Sequence, residues 1–402
     1  SNSLGESLTI DEILPKILDT LFRLFTPADE GFILLKKPES NKLQVKAVKN
    51  RHSKQTETAP VSTTILKQAL RSGEAILSAD AAHDARFKSS ESLSNFRIHS
   101  VMCVPLMSKN GDALGVIQLD TRDTRHQFSQ EDLDLLVSVA TQATIAIENA
   151  NLLEAVLKQR DLERDMDFAT QVQLGFLPNE RPQVPNYEFY DFYESALSVG
   201  GDYFDYIQLP DGRVGVTIGD VAGKGVPAAL LMARLYSSAR YQLLTKLSAA
   251  EALSGLNSEI ASSGVGYRFI TFVMAIIDPV KNEIAIANAG HLAPVIRSAN
   301  GETHSMGKHE SGMPLGIVRE QTYKESKLPF EAGDSLVMFT DGITEAMDHE
   351  NEMYNKHRVE KYIEQGPTEI KDLIKGIVAD VESFCQGRSQ RDDMCLVGFQ
   401  RT

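Results

Sequence analysis

The spacing of apolar positions changes several times along this chain, and each change predicts an element. Leu8, Ile10, Ile13, Leu14, Ile17, Leu18, Leu21 and Phe22 recur at helical spacing, predicting an amphipathic helix from about Leu8 to Leu24. Residues 31–35 form a short apolar run and residues 43–48 alternate, which predicts two strands. Ser62 to Ser72 reads as a helix stopped by Gly73. Residues 100–106 and 114–120 read as strands joined through a hairpin turn at Asn110-Gly111-Asp112. Phe128-Ser129-Gln130-Glu131-Asp132 opens a long helix, with Ser129 as N-cap and Asp132 three residues on.

That helix is expected to reach about Phe176, since no Pro or Gly interrupts it before Gly175. Ile145, Leu152, Ala155, Leu162, Met166 and Ala169 make a heptad-like seam, interrupted by the polar Glu148, Gln159 and Gln173. One reading is a solvated single helix joining two domains. The preferred reading is a parallel coiled coil between two copies, because a helix of ~45 residues without tertiary support is marginal. Pro178, Pro182 and Pro185 end this region. Beyond it, strands are expected at 214–219, 269–278, 283–288, 335–339 and 394–399, and helices at 227–241 and 368–384. The class is therefore α+β. The organisation is an N-terminal domain at 5–150, a helical linker and dimerisation segment at 151–177, and a C-terminal domain at 178–402.

Length agrees with this division, since 402 residues suggest two or three domains of ~150 residues each. A formal net charge of −14 argues against non-specific nucleic-acid binding, which depends on Lys and Arg neutralising phosphates. Cys103, Cys385 and Cys395 form no C-x-x-C pair, so neither a zinc ribbon nor a disulfide framework is expected and a cytoplasmic setting is. No apolar run reaches ~18 residues, so no membrane span is expected. No signal peptide is expected from these first residues. Ser1-Asn2-Ser3 has the look of a cloning remnant, so natural sequence is expected upstream.

The candidate chemistry rests on four aspartates, each in its own short motif. They are Asp202 in Gly200-Gly201-Asp202, Asp220 in Gly219-Asp220-Val221-Ala222-Gly223, Asp341 in Phe339-Thr340-Asp341-Gly342 and Asp392 in Arg391-Asp392-Asp393-Met394. Asp-Gly pairs at strand ends are often only turns. Four such carboxylates, three of them flanking strand-like runs, instead suggest ligands converging on one site. Hard divalent ions take oxygen ligands, and a two-metal site activates water and clamps a phosphoryl group. Lys224 reads either as a phosphate contact or as a solvated surface lysine. A lone His291 after Ala289-Gly290 is more often structural than catalytic.

Two families share these motifs. Residues 100–120, followed by Phe128-Ser129-Gln130-Glu131-Asp132-Leu133 and Ala146-Ile147-Glu148-Asn149-Ala150, resemble a GAF domain over roughly 5–150. The resemblance implies a sensory module that often binds a small ligand and often dimerises. The Asn-Lys and Phe-Asp-Glu signature of the cyclic-nucleotide subgroup is not found.

The second resemblance spans roughly 175–402. Gly200-Gly201-Asp202-Tyr203-Phe204-Asp205, Gly219-Asp220-Val221-Ala222-Gly223-Lys224-Gly225, Asn288-Ala289-Gly290-His291, Pro314-Leu315-Gly316, Thr340-Asp341-Gly342-Ile343-Thr344-Glu345 and Asp392-Asp393-Met394 occur in the order of the PPM phosphatases, SpoIIE/RsbU branch. This implies an α-β-β-α sandwich, two Mn²⁺ or Mg²⁺ ions, and phosphoserine or phosphothreonine proteins as substrates, here a STAS-type anti-anti-sigma regulator. Carried over by motif, Asp220 bridges both metals and the Val221 carbonyl completes the first shell. Asp341 and Asp392 hold the second metal, Asp202 binds near the first, and Asp393 is the rival of Asp392. The implied reaction is direct hydrolysis by activated water, without a covalent phospho-enzyme. The His that follows the bridging Asp in eukaryotic members is absent, so the general acid is unassigned. An inert GAF-dimer scaffold is the competing reading, and a nucleotide cyclase a remote third, since Tyr203 stands where the Gly-Gly-Asp-Glu-Phe motif needs Glu.

Overall fold

The computed structural model describes residues 9–37, 42–52, 63–79, 98–123, 126–262, 268–306 and 310–402. Leu8 and Ser62, at the expected starts of two helices, lie outside them. The chain divides into two compact units, Ser1–Leu162 and Glu163–Thr402.

In the first unit the strands β1 (Glu30–Lys36), β2 (Leu43–Asn50), β3 (Ile76–Ser78), β4 (Ser100–Met107) and β5 (Ala113–Thr121) form an antiparallel sheet in the order β2-β1-β5-β4-β3. The β4–β5 turn falls at Asn110-Gly111, where Gly111 takes φ +86°. Helix α1 (Ile10–Leu24) packs Leu14, Leu18, Leu21 and Phe22 on one face of this sheet. Arg51 fastens its end, donating to the carbonyls of Phe22 (2.9 Å), Phe25 (3.2 Å) and Ala28 (2.8 Å). Helix α2 (Thr63–Ser72) contributes Ile65, Leu66 and Ala69 to a separate core with Phe32, Val101, Cys103 and Val116 on the other face.

Helix α3 (Gln130–Leu174) is the long helix, 45 residues without a break. Ser129 and Asp132 cap it reciprocally: the Ser129 amide donates to Asp132 Oδ2 (2.8 Å) and the Asp132 amide to Ser129 Oγ (3.2 Å). Leu133, Leu136, Ala140, Ala143 and Ile147 enter the first unit's core at alternating three- and four-residue steps. Residues 151–165 are all exposed, including Leu152, Val156 and Leu162. The helix stops at Leu174, ahead of Gly175 and four residues before Pro178, the first of the prolines.

The second unit holds two antiparallel sheets. One, in the order β13-β10-β9-β8-β7, contains β7 (Tyr203–Gln208), β8 (Val214–Val221), β9 (Ile270–Asp278), β10 (Glu283–Ala289) and β13 (Glu325–Pro329). The other, β12-β11-β14-β15-β6, contains β6 (Tyr187–Glu194), β11 (Val295–Arg297), β12 (Thr303–Ser305), β14 (Ser335–Phe339) and β15 (Met394–Arg401). The period-2 alternation of strands sorts their side chains between two cores. Leu336, Met338, Cys395, Val397 and Phe399 face the first sheet across the main core. Val337, Phe339, Met394 and Leu396 face outward, under α7 (Lys356–Gln365) and α8 (Ile370–Cys385). Helices α4 (Val226–Thr245) and α5 (Ala249–Ala261) cover the outer face of the first sheet. This gives the expected layers: helices, sheet, sheet, helices.

Candidate metal centre

Strand register brings the four aspartates to one end of the sandwich. Tyr203 of β7 pairs with Gly219 of β8, so Asp202, just before β7, lies beside Asp220 near the end of β8. Phe339 of β14 pairs with Leu396 of β15, so Asp341 and Asp392 sit at the adjoining ends of those two strands. Asp341 opens a one-turn helix, α6 (Asp341–Thr344). The register thus sets the four carboxylates at the same end of the sandwich, near enough for Asp220 to feel the charges of Asp341 and Asp392.

The glycines of these motifs follow from crowding. A Cβ on Gly342 would fall 1.9 Å from the Asp393 carbonyl oxygen. One on Gly200 would fall 2.4 Å from Asp393 Oδ2 and 2.5 Å from the Tyr193 hydroxyl. Asp393 itself is buried and faces backbone: Oδ1 accepts from the Ala196 amide (2.8 Å), and Oδ2 from the amides of Gly201 (2.6 Å) and Asp202 (3.5 Å). Both its oxygens are spent on the loop that carries Asp202. Asp392 points away from that loop and pairs with Lys224 Nζ at 2.9 Å. Lys224 also donates to the Arg391 carbonyl.

Asp202 is 2 % exposed and its Oδ2 accepts from Thr340 Oγ1 at 2.6 Å. Thr340 also accepts from the Cys395 amide (3.1 Å), so one hydroxyl joins β15 to Asp202. Burial, then the charge of Asp220, pushes the Asp202 carboxyl well above the ordinary range despite that hydrogen bond. Burial, then Asp341, Asp392, Asp393 and Glu345, raises Asp220 to about 7. Burial, then Glu345 and Asp392, raises Asp341 to about 6, with Lys224 and the Gly342 amide opposing. Carboxylates that resist ionising beside one another are relieved by a cation among them.

The donor chemistry therefore fits hard divalent ions: the side chains offer only oxygen, and the Val221 backbone is at the same strand end. Among the described residues no group of three or more His, Cys, Asp or Glu side chains is placed to hold a metal ion as it stands. An open set of this kind suits ions that keep several waters, as Mg²⁺ does.

His291 lies apart from these donors. Its Nδ1 is 2.8 Å from Thr271 Oγ1 and its Nε2 3.1 Å from the Phe339 carbonyl, so Nε2 donates and Nδ1 accepts. Burial lowers it to about 4, leaving it neutral. Asp205 is likewise committed, accepting from Arg240 Nε (2.6 Å) and Nη2 (2.8 Å) and from the Tyr203 hydroxyl (2.9 Å).

Three contributors escaped the sequence reading. Glu345 acts on both Asp220 and Asp341, four residues after Asp341 on the same turn, a spacing that was available to find it. Thr340 was quoted only as part of a motif. Gln173 was read as an interruption of a seam, yet its side chain is buried against the Asp202 loop. Its Nε2 donates to the Gly200 carbonyl (2.6 Å) and its Oε1 accepts from the Gly200 amide (2.9 Å).

Residues 210–402 match the Stage II sporulation protein E (SpoIIE) family and residues 7–148 match the GAF domain. Phosphoserine phosphatase RsbU of Bacillus subtilis (strain 168) is 26% identical over 270 residues, which cover 67% of this chain and 79% of RsbU. Protein IcfG of Synechocystis sp. is 23% identical over 335 residues, 75% of this chain; the chain spans about half, 52%, of the length of IcfG. The SiaA-PP2C domain of Pseudomonas aeruginosa shares the fold, with a TM-score of 0.54 at 17% identity over 61% of this chain and 98% of that one. The chain thus joins a GAF domain to a SpoIIE-type PPM phosphatase domain and is homologous to the RsbU phosphoserine phosphatase.

Proposed function

We propose that this protein is a signal-regulated phosphatase that hydrolyses phosphoserine on a protein, a STAS-type anti-anti-sigma regulator by analogy with its relatives. The observation that carries the reading is the convergence of Asp202, Asp220, Asp341 and Asp392 from four strand ends of two sheets. Two Mn²⁺ or Mg²⁺ ions, when bound there, would activate water and neutralise charge on the phosphoryl group.

Each residue then has a part. Asp220 would serve both ions, the Val221 carbonyl and Asp202 would help hold the first, and Asp341 and Asp392 would hold the second. Asp393 anchors the backbone that aims Asp202. Thr340 orients the Asp202 carboxylate through its hydroxyl. His291 takes no part in proton transfer, because both its nitrogens are engaged within the fold.

The regulatory part of the proposal concerns α3. Leu152, Val156 and Leu162 are exposed by 60% or more in a stretch that touches no core, which supports pairing with a second copy. The GAF unit would bind a small ligand and act through this helix on the Asp202 loop. Within the described residues no helix is long and apolar enough to cross a membrane.

The test is turnover of p-nitrophenyl phosphate and a phosphoserine peptide with and without Mn²⁺, for wild type and Asp220→Asn. Turnover that needs Mn²⁺ and disappears in Asp220→Asn is expected. Undiminished activity in the variant would overturn the assignment.

A further inference from the structure

A cleft of about 540 Å³ opens beside the carboxylates of the second unit. Its lining includes Lys224, Glu345 and Asp392, all three of which act on Asp341 of the candidate centre. From there it runs over Met347, Val381, Cys385 and Met394, an apolar floor supplied by the segment after α6, by α8 and by the start of β15. The opposite wall is the loop 387–391. Arg388 fixes that wall by donating to the Asp348 carbonyl and to Asn351 Oδ1 (2.7 Å). The cleft is therefore built by hydrogen bonds already in place, and its size is that of a ligand pocket.

We propose that this cleft is the specificity pocket of the phosphatase and receives an apolar side chain next to the phosphoserine. The inference rests on the phosphatase reading. A phosphate seated among the aspartates forces the peptide that carries it across the neighbouring surface, and the cleft is continuous with Asp392. The side chains of its floor carry no nitrogen or oxygen, so they give a polar side chain no partner and an apolar one a surface to cover. A leucine entering it leaves water without breaking a hydrogen bond, whereas a carboxylate set on that floor gives up its water; the charged lining residues, Glu345 and Glu382 against Arg388 and Arg391, carry both signs.

Cys385 makes the proposal measurable. It is the partly exposed member of the three cysteines, while Cys103 and Cys395 are fully buried, so a small methanethiosulfonate reagent labels Cys385 in the folded protein. Two phosphoserine peptides serve as probes, one with leucine on both sides of the phosphoserine and one with aspartate. The leucine peptide is expected to slow labelling about fivefold or more at saturation, and the aspartate peptide to leave it unchanged. In turnover, the leucine peptide is expected to lead in kcat/KM by about tenfold or more. Cys385→Phe, which fills the cleft, is expected to erase that lead while p-nitrophenyl phosphate turnover stays within about twofold. Equal protection by the two peptides, or none by either, overturns the cleft whatever the turnover shows. Protection by the leucine peptide in a protein that turns over no phosphate ester sustains the cleft and removes the phosphatase reading instead.

Discussion

Gln173 and Gly200 exchange two hydrogen bonds, side chain to backbone, at 2.6 and 2.9 Å. Gln173 is in the last turn of α3, and Gly200 is two residues before Asp202. Thr170, one turn earlier, donates to the Ser198 carbonyl at 2.5 Å. The helix that fills the first unit's core with Leu133 to Ile147 therefore ends by holding the loop of a candidate metal ligand.

Gln173→Ala leaves the Gly200 amide and carbonyl without these partners, at a cost of about 1–3 kcal/mol for a buried polar group. The expected result is a kcat/KM lowered about tenfold and a higher Mn²⁺ concentration for half-maximal activity. Titration of activity against Mn²⁺ checks it. An unchanged metal dependence would detach α3 from the site.

Asp392 and Asp393 are adjacent but differ in what they touch. Asp393→Asn puts an amide NH₂ against a backbone N–H, so thermal stability should fall by about 1–3 kcal/mol as the 196–202 loop loosens. Asp392→Asn keeps the fold and weakens Mn²⁺ binding measured by calorimetry. If the two variants exchanged these phenotypes, the ligand would be Asp393.

Asp220 is crowded by other carboxylates, and without a cation that crowding is a cost to the fold. Asp220→Asn is expected to raise the melting temperature by several degrees in EDTA at pH 8. Added Mn²⁺ should then stabilise wild type and leave the variant unchanged. Differential scanning calorimetry in both buffers reads the crossover.

In the GAF domain, Asp120 is 3 % exposed, its two oxygens facing Gln118 Nε2 at 2.9 and 3.0 Å. Burial raises it to about 7, with Glu30 adding to the rise and Gln118 and Arg122 opposing it. The folded state thus holds a proton that the unfolded state releases near pH 4, and stability declines as pH rises from about 4 to about 7. Asp120→Asn should flatten that decline. Melting temperatures of the whole chain at pH 5 and pH 8, wild type against variant, give the comparison, and parallel curves would remove Asp120 from the account.

Light scattering at micromolar concentration should report a dimer. Leu152→Asp with Leu162→Asp should shift it toward monomer by placing charges on the exposed seam. A monomeric wild type would leave α3 as a single solvated helix.

Much of this was legible in the sequence because strong periodicity and strand-end motifs coincide. Strands β8, β14 and β15 are apolar runs flanked by the aspartates, so both the elements and the site could be read from them. Strand β6 was not recognised, since Glu188, Asp191 and Glu194 break its aromatic run, Tyr187-Glu188-Phe189-Tyr190-Asp191-Phe192-Tyr193-Glu194. It is an edge strand, where one side can carry charge. Helices α5 and α7 were also passed over: α5 is small-residue rich, and α7 is mostly charged with Val359 and Ile363 as its buried pair. Gln173 was misjudged for a different reason. A glutamine in an apolar stripe reads as a defect until the loop that folds onto it is known.

One last relationship concerns spacing. Thr271 pairs with Asp220 across β8 and β9, and Phe339 lies two residues before Asp341. His291 touches both Thr271 and Phe339, so an uncharged ring stands between the strand system of one metal-side carboxylate and that of the other. The imidazole thus cross-links β9 of one sheet to β14 of the other, and a smaller residue there would leave that end of the sandwich without its tie.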